Sequence, residues 1–507
     1  MDKKKVILNI IVSIFFKIIL LFGSILVRRF LIQNIGNDAN GLSSLYLSIV
    51  GFLTVTELGI GEAITFCMYK PIVENDKNKV AALYGLFKKI YLIIGGIILL
   101  AGLAVMPFLP NLAKDYSNID ANIFLTFVLT LMSVVITYAY SAKLSLINAY
   151  KYNYISTSIT SLGTLVEHIL KIAIIIITKS FEAYLICRII AVLIQWIAAN
   201  YFCKKKFGDI IAVKNAEIDK ESKVQIINNI KAMFMHKIGN VLVNTADSVI
   251  ISAFVGVVAL GIYSNYTTIM LSMTGVLTLF FYPLTSVVGH AFVNESKENM
   301  RKSFNVFYGI NYVLGTVFCL GYYEIIENVV SICFGDNLQV DRSIAFVITL
   351  NYFIQFMRTS TLMFRSSTGT FYNDRYKPLV EGLVNVILSI LLVKYIGITG
   401  VIIATIATNL FICDIVEPHV VYKYALNTKA TAFYITNYSY ICVFILCLLI
   451  VQKFMVSRTS LFSEFFINGS IAVAVAMIPL LVLWLTNKDF RECMQGLVAK
   501  IVIKHKL

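Results

Sequence analysis

Lys17, Arg28, Arg29 and Arg358 stand inside otherwise apolar stretches, as do Glu57, Glu62, Glu167, Lys171, Asp247 and Glu381. In a bilayer each such charge costs on the order of 2.5–3.5 kcal/mol, so it needs a partner, water or a ligand. Lys17 lies near the middle of the first apolar run, several turns from either end. It faces a cavity or snorkels along its stem to the interface. Arg28 and Arg29 lie nearer the outer interface, where anion binding and simple solvation are both open readings. The planar fork of Arg takes two oxygens at once, which suits a diphosphate.

The carboxylates allow other chemistry. Glu57 and Glu62, in TELGIGEAI, could take a proton or Na⁺, or neutralise a neighbouring cation. In EHILK, Glu167 and Lys171 are one helical turn apart on one face, the favoured order for a local ion pair. His168 points about 100° away and could titrate near neutral pH. Asp247 has no cation on its own segment, so its partner must come from another helix. Arg358 and Glu381 are further candidates for the same buried charge network.

The elements that carry these residues must be membrane helices. The chain is 58% apolar and 14% charged, with a mean hydropathy of +0.81, against about 25% charged residues in a soluble domain. Apolar runs of about 20 residues recur throughout, each long enough for roughly 30 Å of hydrocarbon. The fold class is all-α polytopic, with about fourteen transmembrane helices. The expected spans are 6–33, 41–66, 84–113, 121–147, 155–178, 183–203, 233–257, 261–289, 304–334, 342–367, 377–396, 398–422, 433–455 and 465–486. MDKKK followed by a long apolar run reads as a retained first helix.

Residues 1–203 form an expected N-terminal six-helix bundle and 233–425 a C-terminal one, followed by a helix pair and basic tail over 426–507. The basic segment 204–232 between them is either a solvated linker or an amphipathic helix on the inner leaflet. Pro283 and Pro479 fall inside expected spans and should kink them. Roughly thirty of the 43 Lys and Arg residues gather in loops on one side, Arg375–Lys377 among them, which places both termini in the cytoplasm. That distribution accounts for the net charge of +15 without nucleic acid. The nine Cys are scattered without a C-x-x-C, so no disulfide framework or metal site is indicated. Nucleotide-binding, zinc-protease and serine-hydrolase motifs are absent from the sequence, which leaves an ion gradient or the substrate's own gradient as the energy source.

The two halves echo each other. Asn244–Tyr266, NTADSVIISAFVGVVALGIYSNY, overlays VRRFLIQNIGNDANGLSSLY when moved back by roughly 220 positions. Gly261 then falls on Gly41, Tyr266 on Tyr46, and NESKEN on ENDKNK. Two related halves are common in transporters.

RRFLIQNIGNDANGLSSLYLSIVGFLTVTELGIGEAI, the central NTADSVIISAFVGVVALGIYSNYTTI and the late GITGVIIATIATN carry a resemblance over essentially the whole chain. The chain resembles the Wzx-type polysaccharide flippases of the MOP superfamily, which also holds the MurJ-type lipid II flippases and the multidrug and toxin (MATE) extruders. The resemblance implies two pseudo-symmetric six-helix bundles plus a C-terminal pair, alternating between inward and outward openings in a bacterial plasma membrane. It implies a non-enzymatic flippase for undecaprenyl-diphosphate-linked oligosaccharide in capsule or exopolysaccharide synthesis. Lipid II, a teichoic-acid precursor or a drug is the rival cargo, and a membrane polymerase or acyltransferase the rival activity. Lys17, Arg28, Arg29 and Arg358 would meet the diphosphate, although Lys17 stands where the lipid II branch usually has Arg. Glu57, Glu62, Glu167, Lys171, Asp247 and Glu381 would form the ion-coupling or buried charge network. No cofactor is implied beyond H⁺ or Na⁺ coupling; polysaccharide polymerase and glycosyltransferases are the implied protein partners.

The depth of Lys17 makes the prediction of this reading. Lys17→Ala should insert normally and lose transport, measured as surface polymer at equal membrane abundance; wild-type polymer would remove Lys17 from the site.

Overall fold

The computed structural model describes residues 3–54, 60–116, 121–213, 245–281, 284–455 and 461–504. Every regular element among them is helical. Eight described helical stretches are long and apolar enough to cross a membrane, which makes the chain a multi-pass membrane protein. The chain divides into two compact units, Met1–Ile262 and Tyr263–Leu507.

Unit 1 contains α1 (Lys3–Asn34), α2 (Asn37–Leu53), α3 (Ile60–Val73), α4 (Lys77–Val105), α5 (Ile123–Val135), α6 (Tyr138–Ala149), α7 (Asn153–Thr178), α8 (Phe181–Ala212) and α9 (Thr245–Phe254). The unit boundary falls inside α10 (Val257–Phe281). Unit 2 continues with α11 (Leu284–Asn294), α12 (Lys297–Phe334), α13 (Arg342–Met357), α14 (Thr359–Ser367), α15 (Lys377–Thr408), α16 (Asp414–Val420), α17 (Thr431–Phe454), α18 (Leu461–Thr486) and α19 (Lys488–Lys504).

Several elements differ from the sequence expectation. The second expected span is carried in part by α2 and in part by α3, and residues 55–59 between them lie outside the described residues. The fourth is interrupted between α5 and α6. There Ser133, Thr137 and Ser141 turn their hydroxyls back onto carbonyls of their own chain at 2.6, 2.6 and 3.0 Å, and such bonds bend helices. α8 continues past Lys204 to Ala212 through one non-helical residue, Phe207. α18 runs on through Pro479. Pro283 and residues 214–244 lie outside the described residues. The expected break near 397 is a kink in α15, where Gly397 takes φ 57°.

The internal repeat is visible in local geometry. Gly36 and Gly256 have φ of 130° and 131°, a backbone that other residues rarely adopt. Each precedes a helix of its copy, α2 and α10. Asp76 caps α4 through the Lys79 amide at 2.9 Å, and Ser296 caps α12 through the Asn299 amide at 3.3 Å. Tyr46 and Tyr266 are both fully buried. The Tyr46 hydroxyl donates to the Ile123 carbonyl at 3.0 Å, at the start of α5. The Tyr266 hydroxyl accepts from the Val340 amide at 2.9 Å, just before α13. Both of those helices are capped by their preceding residue, Asn122 on Phe124 and Asp341 on Ser343. The Ser343 amide and hydroxyl hold the Asp341 carboxyl below its usual range.

Within unit 1, the amino end of the second copy packs on α2 at backbone distance. Asn37 Nδ2 donates to the Val258 carbonyl at 2.9 Å, and Asn40 Nδ2 to the Gly261 carbonyl at 3.0 Å. A Cβ on Gly41 would run into the Val257 carbonyl oxygen, and one on Gly261 would meet the Asn37 carbonyl at 2.6 Å. Small residues allow this approach, as membrane helix packing requires.

Gly41→Ala should therefore destabilise the protein by about 1–3 kcal/mol through forced displacement of α10. Gly85, where an added Cβ meets nothing within 4 Å, is the control. Thermal melting in detergent should fall for Gly41→Ala and hold for Gly85→Ala; equal melting of the two variants would refute the close packing.

Candidate functional site

Among the described residues two groups of buried charge stand out, one in each unit. In unit 1, α7 and α8 form an antiparallel hairpin with a tight turn, in which Lys179 takes φ 49° and Ser180 caps α8 on the Ala183 amide at 3.2 Å. This turn fixes the register. Glu167 and Lys171, one turn apart on α7, meet Tyr184 and Arg188, one turn apart on α8. Lys171 Nζ is 2.7 Å from Glu167 Oε1, the ion pair that the spacing implies. Arg188 Nη1 approaches the two Glu167 oxygens only at 3.4 and 3.5 Å. Its Nε is buried without a hydrogen-bond partner among the described residues. The Lys171 ammonium lies 4.3 Å from the Tyr184 ring centroid.

α1 packs along α7 on the other side. Gly23 lies against the His168 ring, so close that a Cβ there would overlap Nδ1. Lys17 and Arg28 are eleven residues apart, which returns to within about 20° on a helix and spans about 16 Å. Among the described residues, Lys171 and Arg188 thus share a single carboxylate, Glu167. Lys171 and Arg188 lie about eight residues from the helix turn, or about 12 Å into the hairpin. The surplus is positive, and Arg188 is held loosely.

The group in unit 2 is balanced in charge and held by short contacts at its hub. Its hub is Glu417 on α16, whose side chain is 1% exposed. Arg358 grips it with both arms, Nη2 to Oε1 at 2.6 Å and Nε to Oε2 at 3.0 Å. Lys377 Nζ reaches the same Oε1 at 2.6 Å and Glu381 Oε2 at 2.7 Å. Arg365 pairs with Asp374 at 2.7 Å and lies 3.5 Å from Glu417. Arg358 also bonds Asn409 and approaches Glu381 at 3.8 Å. Three cations are matched by three carboxylates, and Asp414 beside them accepts from Asn437 at 3.3 Å. The helical path widens to π turns at 409–413 and 421–425, on either side of α16. Such widening is common at functional positions.

No protein-family model and no curated protein matches the chain. Solved structures do. An inward-facing multidrug-resistance MATE family transporter of the MOP superfamily aligns at TM-score 0.65 and 12% identity, covering 83% of this chain and 94% of its own. The lipid II flippase MurJ, in an inward closed conformation, aligns at TM-score 0.65 and 13% identity, covering 94% and 99%. A point mutant of the Vibrio cholerae MATE transporter VcmN gives 0.56 and 14% identity, covering 91% and 98%. This chain has the MATE and MurJ fold.

Within the MATE and MurJ fold, the sequence candidates separate. Glu167 and Lys171 come together in unit 1, and Arg358 and Glu381 in unit 2. Lys17, Arg28 and Arg29 lie on α1, and Asp247 on α9; all four are partly buried. Glu62 falls within α3 and Glu57 lies outside the described residues. Lys377 corrects the loop reading of Arg375–Lys377: it is the first residue of α15, 7% exposed, drawn inward by Glu381 and Glu417. Sequence reasoning also missed Arg188, a lone cation in FEAYLICRIIAVL, and Glu417, in DIVEPHV inside an expected span. Both carried the same buried-charge signal as the residues that were singled out. Among the described residues no group of three His, Cys, Asp or Glu is arranged to hold a metal ion.

Breaking a buried pair by neutralising one partner costs about 3–5 kcal/mol, because the other charges stay buried. Glu417→Gln should therefore lower the melting temperature sharply, and Lys377→Met added to it should restore part of the loss. Lys488→Ala, which removes an exposed 3.6 Å pair with Glu492, should leave melting unchanged. A Glu417→Gln protein as stable as wild type would contradict the network.

Proposed function

We propose that this chain is a MOP-superfamily flippase that carries undecaprenyl-diphosphate-linked oligosaccharide from the cytoplasmic to the external leaflet of a bacterial plasma membrane. In this reading fourteen transmembrane helices form two six-helix bundles with a C-terminal pair, both termini lie in the cytoplasm, and the bundles alternate access. The observation that carries the proposal is the positive surplus in unit 1. Lys171 and Arg188 on the one carboxylate Glu167 suit an anion at membrane depth, and a cationic drug would be repelled there.

In this assignment Arg188 is the headgroup ligand. Its fork is only loosely engaged by Glu167, so a diphosphate can replace long contacts with short charge-assisted ones. Lys17, on the same face of α1 as Arg28, and the neighbouring Arg29 extend the cationic path along that helix. Arg358, gripped by Glu417, serves instead to tie α13 through α16 together. Glu57, Glu62 and Asp247 remain the candidates for H⁺ or Na⁺ coupling. Bulk energy from a bound nucleotide and bond-making chemistry have no role in this scheme.

Arg188 is partly exposed, so its substitution should not unfold the hairpin. In a strain lacking the native gene, Arg188→Gln should cut surface polymer about 10–100-fold at equal membrane abundance, the loss of about 1.5–3 kcal/mol from charged hydrogen bonds. Arg188→Lys, which keeps the charge and loses the fork, should fall between. Full polymer from Arg188→Gln would overturn the headgroup assignment.

A further inference from the structure

A cleft of about 280 Å³ opens in unit 2 where α12 begins, before α17, and where α18 passes into α19. Arg301, Lys429 and Lys488 line it, with Tyr308, Tyr422 and Phe433 among the aromatic walls. Asp489 is the single carboxylate of the lining, and its Oδ2 already accepts from Asn305 Nδ2 at 2.7 Å. The amide of Asn487 is likewise committed, donating to the Asn305 carbonyl at 2.9 Å and accepting from the Phe490 amide at 3.0 Å. Lys488 has only its exposed partner Glu492 among the described residues, one turn along α19. Arg301 and Lys429 have no ion pair or hydrogen bond to any described residue, whereas Arg358, Arg365 and Lys377 in the same unit are all matched.

We infer that this cleft is a binding site for a phosphate-bearing ligand, separate from the charge cluster of unit 1. Arg301 supplies a planar fork and Lys429 and Lys488 supply point charges, the combination that recognises phosphate oxygens. Tyr422, Phe433 and Ala432 give an apolar wall beside the charges, which suits a glycerol ester better than a bare ion. Lys429, Lys488 and Arg301 all belong to the basic side of the chain. On the cytoplasmic orientation of that side, taken from the reading above, the cleft sits at the level of the inner headgroups. Basic side chains there are worth about 1 kcal/mol each toward anionic lipid. The same phosphate chemistry could come from an anionic phospholipid or from a soluble phosphate ester.

The test is binding to the purified full-length protein, independent of what it transports. Nanodiscs with equal phosphatidylglycerol and phosphatidylcholine, analysed by native mass spectrometry, report lipid retention; inorganic pyrophosphate titration reports the soluble source. Arg301→Gln with Lys429→Gln should weaken retention about thirtyfold, as expected for two interfacial cations. Ala432→Trp, which fills the cleft without altering its charge, should do the same. Lys179→Gln, in unit 1, is the control. Phosphatidylglycerol retention lost in both cleft variants supports a lipid headgroup. Pyrophosphate binding lost in both, without a lipid preference, supports a soluble phosphate ester. If both cleft variants, melting as wild type does, retain both ligands as wild type does, the site is refuted.

Discussion

An ionised side chain cannot be left alone in hydrocarbon, and this constraint organises the protein. Glu417 shows what it demands. One carboxylate, almost wholly buried, holds Arg358 and Lys377 by bonds as short as 2.6 Å and brings Arg365 to 3.5 Å. Those partners come from the end of α13, from α14 and from the start of α15, so satisfying the charge fixes four helices against one another. The desolvation cost of such a network is offset only by near-complete pairing. Stability is a weak reason to keep it; a fixed arrangement of helices that flank two π turns is a better one.

The two buried groups differ in their balance of charge. In unit 2 the cations and carboxylates of the network match in number and the contacts of Arg358 and Lys377 are short, although Arg365 Nε, like Arg188 Nε, is buried without a described hydrogen-bond partner. In unit 1 the cations outnumber the carboxylate, the Arg188 contacts are long, and its Nε has no described hydrogen-bond partner. A charge-balanced network of short contacts holds structure. An open one with surplus positive charge can receive an anion, and the contrast explains why the headgroup assignment moves toward Arg188 and away from Arg358.

Much of this was legible in the sequence, because the signals were local. The echo of Asn244–Tyr266 over the opening stretch predicted equivalent positions, and Gly36 and Gly256, Asp76 and Ser296, and Tyr46 and Tyr266 do equivalent work. The Glu167–Lys171 pair followed from one turn of helix. Partners contributed by other helices did not follow. Lys377 reads as a loop cation because Arg375, Tyr376 and Pro378 surround it, and only tertiary packing reveals its partner Glu417, 40 positions away. Arg188 was passed over although a lone cation in an apolar helix is itself a signal. The break inside the fourth expected span was equally hidden, since hydropathy averages over a hydroxyl-rich bend such as that of Ser133–Ser141.

The central claim is that the cargo is a polyprenyl-diphosphate oligosaccharide. The most direct measurement is the pool of lipid-linked sugar in the native bacterium after loss of this gene. The account predicts that polyprenyl-diphosphate oligosaccharide accumulates on the cytoplasmic leaflet while surface polymer disappears. An unchanged pool with intact surface polymer would contradict it and leave another cargo for the same fold.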